Sequence, residues 1–192
     1  MTYSDIQGWF DFADIYEEAI ARARDGDVLV EVGCWLGKSS AYLHQIAKAS
    51  GKDITLMFVD TWRGESIGPP YDAVISANGG DVFNVWKKNM TGCGIDFFGA
   101  HPRIIVSRRT SVEAAALAAD SSLAFVFIDA AHDYESVKAD LAAWLPKLAP
   151  HGHIAGHDYG CPDVARAVDE ALTARTRNSS WERIPVTFHT DS

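Results

Sequence analysis

Apolar residues along this chain come in two rhythms. Short apolar runs, most of them rich in Val, Ile and Phe, recur at 28–32, 54–59, 103–106, 123–128, 151–156 and 184–188. Between them lie longer stretches whose apolar positions fall three and four apart, the spacing of one helix face. These predict helices over 10–24 (Phe12, Ile15, Tyr16, Ala19 and Ile20 on one face), 38–49, 81–90, 111–119, 134–148 and 162–174. Pro146 kinks or ends the fifth of these, and Pro162 suits the first turn of the sixth. Residues 61–80 keep neither rhythm and carry Gly64, Gly68, Pro69-Pro70 and Gly79-Gly80, so a long loop is expected, either a functional lid or a disordered insertion. Strands alternating with helices imply a mainly parallel sheet with helices on both faces and right-handed crossovers.

Composition adds limits rather than chemistry. The 192 residues suit one domain over 1–192, and 47% hydrophobic with 22% charged residues is the profile of a chain that builds a core. A net charge of −9 argues against nucleic acid as a partner. No apolar run approaches the ~20 residues that cross a bilayer, and the acidic, aromatic opening MTYSDIQGWFDF does not read as a signal peptide. Cys34, Cys93 and Cys161 are odd in number and far apart, which suits free thiols in a reducing compartment and hence a cytoplasmic location.

The chemistry gathers where the predicted strands end. In open α/β sheets ligands sit beyond the carboxyl ends of the strands. The first end carries Glu31 and Gly33, then Gly37 and a helix start with Ser39. The spacing is neither GxGxxG nor GxxxxGK[ST], and a carboxylate here repels a pyrophosphate. It suits a ligand with an ammonium or sulfonium group, such as S-adenosylmethionine (SAM); a plain βα turn is the alternative. Asp60 ends the second strand, where an acid can accept both hydroxyls of a ribose or simply cap a turn. The third end offers Ser107 to Ser111, the fourth Asp129 and His132, the fifth His157 and Asp158. Asp129, His157 and Asp158 form a divalent-metal candidate; the imidazole moves the preference from Mg²⁺ towards Mn²⁺, Fe²⁺ or Zn²⁺. His132 is placed for a general base. His151 and His153 lie near a strand's amino end and read as structural or exposed. Tyr134 and Tyr159 fit either a site mouth or the core. Trp62 is a candidate to flank the ligand, while Trp9, Trp86, Trp144 and Trp181 read as packing residues.

Four stretches together, EVGCWLGKSS (31–40), FVDTWRG (58–64), AFVFIDAAHDYESVKADLAAWLPKLAP (124–150) and IAGHDYGCPDVARAVDEA (154–171), resemble the class I SAM-dependent methyltransferases. The likeness is to the bacterial group related to macrocin-type and rhamnosyl O-methyltransferases and the so-called cephalosporin hydroxylases. It implies a Rossmann-like three-layer α/β sandwich, with a mainly parallel six- or seven-stranded sheet. It further implies a SAM pocket from Glu31, Gly33, Ser39, Asp60 and Ser111, with Ser111 reaching the adenine. A metal at Asp129, His157 and Asp158 is implied, with His132 as base. His157 stands where the group usually has a carboxylate. The tail after Thr173 is long enough for one closing strand rather than two, which leaves the acceptor side either more open or completed by a second copy.

The expected activity is therefore metal-assisted methyl transfer from SAM to a hydroxyl of a small molecule or sugar, with catalytic His132 and Asp129. Two rivals remain at this point: a nicotinamide-dependent oxidoreductase on a similar sheet, and a non-catalytic module that keeps the fold only to bind a partner.

Overall fold

The computed structural model of the protein describes residues 1–63, 71–172, 175–177 and 180–183. The two apolar rhythms become an alternating fold: α1 (Ala13–Arg22), β1 (Val28–Val32), α2 (Lys38–Ser50), β2 (Thr55–Val59), α3 (Tyr71–Ala77), α4 (Phe83–Gly92), β3 (Arg103–Ser107), α5 (Ser111–Ala115), β4 (Leu123–Ile128), α6 (Tyr134–Trp144), β5 (Leu148–Gly156), α7 (Pro162–Ala171), β6 (Arg175–Arg177) and β7 (Ser180–Arg183). The sheet has seven strands in the order β3-β2-β1-β4-β5-β7-β6. β1 to β5 pair in parallel, and β7 pairs antiparallel with both β5 and β6.

Strand alternation divides the core into two layers. On one face Leu29, Phe58, Phe125 and Phe127 pack under α1, α2 and α4, with Tyr16, Leu43 and Trp86 among the buried side chains. On the other, Val30, Val32, Val126 and Ile128 pack under α5, α6 and α7, with Trp144 and Trp181. The helix starts are written locally. Thr110 and Glu113 form a capping box for α5, Asp133 accepts from Ser136 N (3.0 Å) to start α6, and Pro162 opens α7.

Several expectations need correction. The loop over 61–80 contains α3, and residues 64–70 lie outside the described residues. The fifth predicted helix ends at Trp144, and Leu145–Lys147 is a 3₁₀ turn around Pro146 from which β5 starts three residues early. The tail forms two strands, not one, so the sheet closes within this chain and needs no second copy for that purpose. RTR and SWER hold a single apolar residue, Trp181, so no alternation marks them; the strand expected at 184–188 lies outside the described residues. Trp9, read as a packing residue, is 62% exposed, because it is Phe10 and Phe12 of that segment that turn inwards. Trp62, read as a ligand-flanking residue, is buried against Phe83 and Trp86. The three cysteines carry free thiols.

Candidate active site

Beyond β1 the chain turns sharply through Gly33 and Gly37, both at positive φ (88° and 93°). The first role of these glycines is to let the protein approach itself. A Cβ on Gly33 would lie 1.9 Å from the Asp129 carbonyl oxygen, and one on Gly37 2.9 Å from the Trp86 indole. The end of β4 thus closes onto the turn after β1, and Asp129 N donates to Val32 O (2.8 Å).

Asp60, at the end of β2, holds this turn from the other side. Its Oδ2 accepts from Cys34 N and Trp35 N, both at 2.9 Å, and its Oδ1 from Trp62 N at 2.7 Å. Trp35 and Trp62 both sit in the left-handed region (φ 46° and 52°), a conformation that costs about 1–3 kcal/mol at a non-glycine residue. One carboxylate therefore fastens two strained positions. Burial raises its pKa, against the pull of the N–H donors. Trp62 Nε1 and Asn89 Nδ2 add bonds to Trp35 O (3.1 Å) and Leu36 O (2.9 Å). Asn89 is a half-buried residue of α4 beside Met90, and nothing in the sequence singled it out.

Glu31 is 1% exposed. Its Oε1 accepts from the Ser39 hydroxyl, and its Oε2 is buried without a partner among the described residues. Burial lifts its pKa to about 7, more than the nearby hydroxyls of Ser39, Ser40 and Tyr16 lower it, and the Asp129 charge adds to the rise. The Tyr16 hydroxyl stands close enough to feel that carboxylate but makes no bond of good geometry, and burial pushes its own pKa far up. Tyr16 entered the sequence reading only as a core position. An orphaned carboxylate oxygen beside a glycine turn is a place for a buried cation, so the site fits the ammonium of SAM.

Ser111, expected at the adenine, is turned into the packing of α5 on α6, where it accepts from Trp144 Nε1 (2.9 Å). The unpartnered hydroxyl at this strand end belongs to Ser107, which is buried.

The ends of β4 and β5 deliver a cluster of two carboxylates and two imidazoles. His132 Nε2 lies 2.9 Å from Asp158 Oδ2 and 3.8 Å from Asp129 Oδ1; His157 Nδ1 lies 3.1 Å and 3.9 Å from the same two atoms. Donor atoms of Asp129, His132 and Asp158 come within 4.8 Å of one another. That group holds His132 where His157 was expected; His157 Nδ1 lies against the same two carboxylates without being part of it. Asp158 adopts φ 56°, which aims it into the cluster. Its pairing with Asp129 and Asp158 raises His132 to about 10. His157 reaches about 9: burial opposes the rise, but the bond to Asp158 and the charges of Asp129, Asp158 and Asp11 outweigh it. Asp158 is held well below the carboxylate range by its bonds to His132 and His157. A mixed oxygen and nitrogen donor set of this kind fits a divalent ion of the Mn²⁺, Fe²⁺ or Zn²⁺ type better than Mg²⁺.

The remaining candidates lie elsewhere. His151 pairs with Asp27 (3.1 Å) at the amino end of β1, and His153 is buried, its pKa pushed down to about 4 by burial. Tyr134 donates to Glu170, and Tyr159 to Asp169 (2.7 Å), so both hydroxyls are bonded to α7.

A strand order of 3-2-1-4-5-7-6 with the seventh strand reversed, and a glycine turn and acids at the strand ends, define the class I SAM-dependent methyltransferase fold. The sequence profile of a family described as a methyltransferase domain matches residues 30–159, and the chain belongs to that family. An uncharacterized protein of Sinorhizobium fredii is 29% identical over 131 residues; the match covers 68% of this chain but spans only 13% of that relative's length. Among solved structures, the O-methyltransferase NovP is similar with a TM-score of 0.68 at 19% identity, covering 90% of this chain and 78% of its own. A TDP-rhamnose 3′-O-methyltransferase of calicheamicin biosynthesis gives 0.50 at 17%, covering 90% and 76%. A Staphylococcus aureus protein assigned as a caffeoyl-CoA O-methyltransferase gives 0.53 at 15%, covering 91% and 69%. At these identities the structural likenesses speak for the fold.

Proposed function

We propose that the protein transfers a methyl group from SAM to a hydroxyl of a small molecule or sugar, with a divalent ion at the Asp129 cluster. The observation that carries this reading is a buried, unpartnered carboxylate oxygen on Glu31, one short turn from a metal-capable group at the end of the adjacent strand. The family membership supports methyl transfer, and the resemblance to sugar and phenolic O-methyltransferase folds supports an oxygen acceptor.

Glu31, kept in place by Ser39, takes the ammonium of the methionine moiety. Asp60 keeps lone pairs for the ribose while it holds the turn, and Ser107, whose buried hydroxyl lacks a partner, is a better candidate for the adenine than Ser111, whose hydroxyl is engaged by Trp144. When bound, SAM supplies an electrophilic methyl group and the divalent ion lowers the proton affinity of the acceptor hydroxyl. Asp129 and Asp158 are the carboxylate ligands. His157, the more enclosed imidazole, is the nitrogen ligand. With Asp129 and Asp158 engaged by the ion, His132, 45% exposed, would lose the carboxylates that keep it protonated and could take the hydroxyl proton as the C–S bond breaks and the C–O bond forms. Positioning supplies much of the rate.

The test is calorimetry of SAM binding, followed by transfer of labelled methyl from SAM to a panel of phenols and sugars with and without Mn²⁺. Binding and metal-dependent transfer are expected. A thermal shift with NAD and none with SAM would return the oxidoreductase; binding of SAM with no transfer to any acceptor would favour the non-catalytic module.

A further inference from the structure

Asp11 lies in the segment before α1 and is 146 residues from His157 in sequence, yet its Oδ1 is 2.8 Å from His157 Nε2. The other ring nitrogen, Nδ1, faces Asp158 and Asp129. The histidine thus has a carboxylate on its outer nitrogen and the cluster on its inner one. This is the arrangement by which proteins fix the ring and strengthen the basicity of a metal-binding imidazole.

An Asp with 58% side-chain exposure invites a simpler description, an ion pair worth little. Its neighbours argue otherwise. Phe10 packs on Phe12 and Tyr42 (ring centroids 4.9 Å apart in each case), and Phe12 packs on Phe127 (4.5 Å), Tyr16 (5.4 Å) and the His157 ring itself (5.1 Å). Asp11 sits between two anchored aromatics, so the backbone that carries its carboxylate is fixed beside the ring. His157 is 12% exposed, with Phe12 against it.

We propose that Asp11 is a positioning residue for the metal centre: it holds His157 Nε2–H so that Nδ1 is presented, as a strengthened donor, beside Asp129 and Asp158. The inference rests on the metal reading above and adds to it a residue from the opposite end of the chain. It also explains why this centre tolerates an imidazole among its carboxylates, since the outer carboxylate returns negative character to the ring.

Calorimetric titration of the full chain with MnCl₂ and with MgCl₂ tests it, on wild type, Asp11→Ala, Asp11→Asn and Asp11→Glu. The Ala variant is expected to lose about 10- to 100-fold in Mn²⁺ affinity and less in Mg²⁺ affinity, because Mg²⁺ relies on the carboxylates. Asn, which accepts from Nε2–H without a charge, is expected to lie between Ala and wild type, and Glu to recover part of the loss. If Ala does not fold, the Asn result decides. Equal losses for both ions would mean that the segment merely loosened, and would overturn the proposal. Unchanged Mn²⁺ affinity in the Ala variant would overturn it while the metal reading stood. A wild-type protein that binds neither ion would remove both.

Discussion

Glu31→Gln separates the cost of the site from its use. The Glu31 carboxyl has an ordinary value of 4.5 and is carried to about 7 by burial. A group whose pKa is raised in the fold stabilises most below its unfolded value and loses that contribution as the pH rises through its folded value. The ionised form therefore costs roughly 3 kcal/mol above neutrality, at about 1.36 kcal/mol per pH unit. Gln resembles the protonated acid and carries no such cost. Urea unfolding should thus find the two proteins similar at pH 4.5. By pH 8.5 Glu31→Gln should be the more stable by roughly 3 kcal/mol. SAM should reverse the ranking: removing one partner of a buried charge pair costs about 2–5 kcal/mol of binding, so the variant should bind SAM at least ~30-fold more weakly at pH 8.5. A stability gap that does not widen with pH would refute the buried-carboxyl argument. Unchanged SAM affinity would refute the ammonium assignment even if the gap widened.

Gly33→Ala should lower Tm by about 8–16 °C, the equivalent of about 4 kcal/mol, because its Cβ would sit 1.9 Å from the Asp129 carbonyl oxygen; a melt within ~2 °C of wild type would contradict that contact. Asp60→Asn leaves one acceptor oxygen for three N–H donors and should cost about 2–4 kcal/mol in urea unfolding, with SAM affinity falling for that reason alone. The ribose contact is therefore better tested with S-adenosylhomocysteine against its 2′-deoxy analogue, where wild type should discriminate by about 1.5–3 kcal/mol and equal affinities would remove it. Chelation with EDTA should leave SAM binding intact, abolish transfer and allow recovery with Mn²⁺; full activity in EDTA would eliminate the metal. Without an ion, the cluster's stabilisation is complete between about pH 4 and 6.5, fades below that as Asp158 protonates, and is lost as the pH rises through about 9 and 10, so His132→Gln should flatten the upper part of that decline.

Much of this was legible because period and position carry physical meaning. The apolar runs and the 3.6-residue faces gave β1 to β5 and most of the helices, and the strand ends then pointed to Glu31, Asp60, Asp129, His132, His157 and Asp158. What was not legible depends on tertiary context. β6 and β7 contain almost no apolar residues, so pairing of β7 with β5 and of β6 with β7, rather than pattern, makes them strands. Trp62 looks like a loop residue until φ 52° and the Asp60 carboxylate turn it inwards. Ser111 was assigned by place in the chain, but Trp144, 33 residues later, engages its hydroxyl. Asp11 belongs to a stretch whose acidity looks generic, and only folding brings it to His157.

The two halves of the site are held by different physics, and that bears on how it works. The turn from 33 to 37 is over-determined: close backbone approach at Gly33, indole packing at Gly37, and Asp60, Trp62 and Asn89 bonding to its backbone. Such a turn keeps its shape whether or not a nucleoside is present, which limits the ordering cost of binding. The Asp129 cluster is held instead by imidazoles, their pKa values raised, lying against carboxylates near the surface. A divalent cation bound there, as proposed, would compete with protons for the same atoms, so occupation would release them and leave a histidine able to accept one. On the proposed function, the rigid half would fix where the methyl group sits, and the exchangeable half would decide when an acceptor beside it can lose its proton.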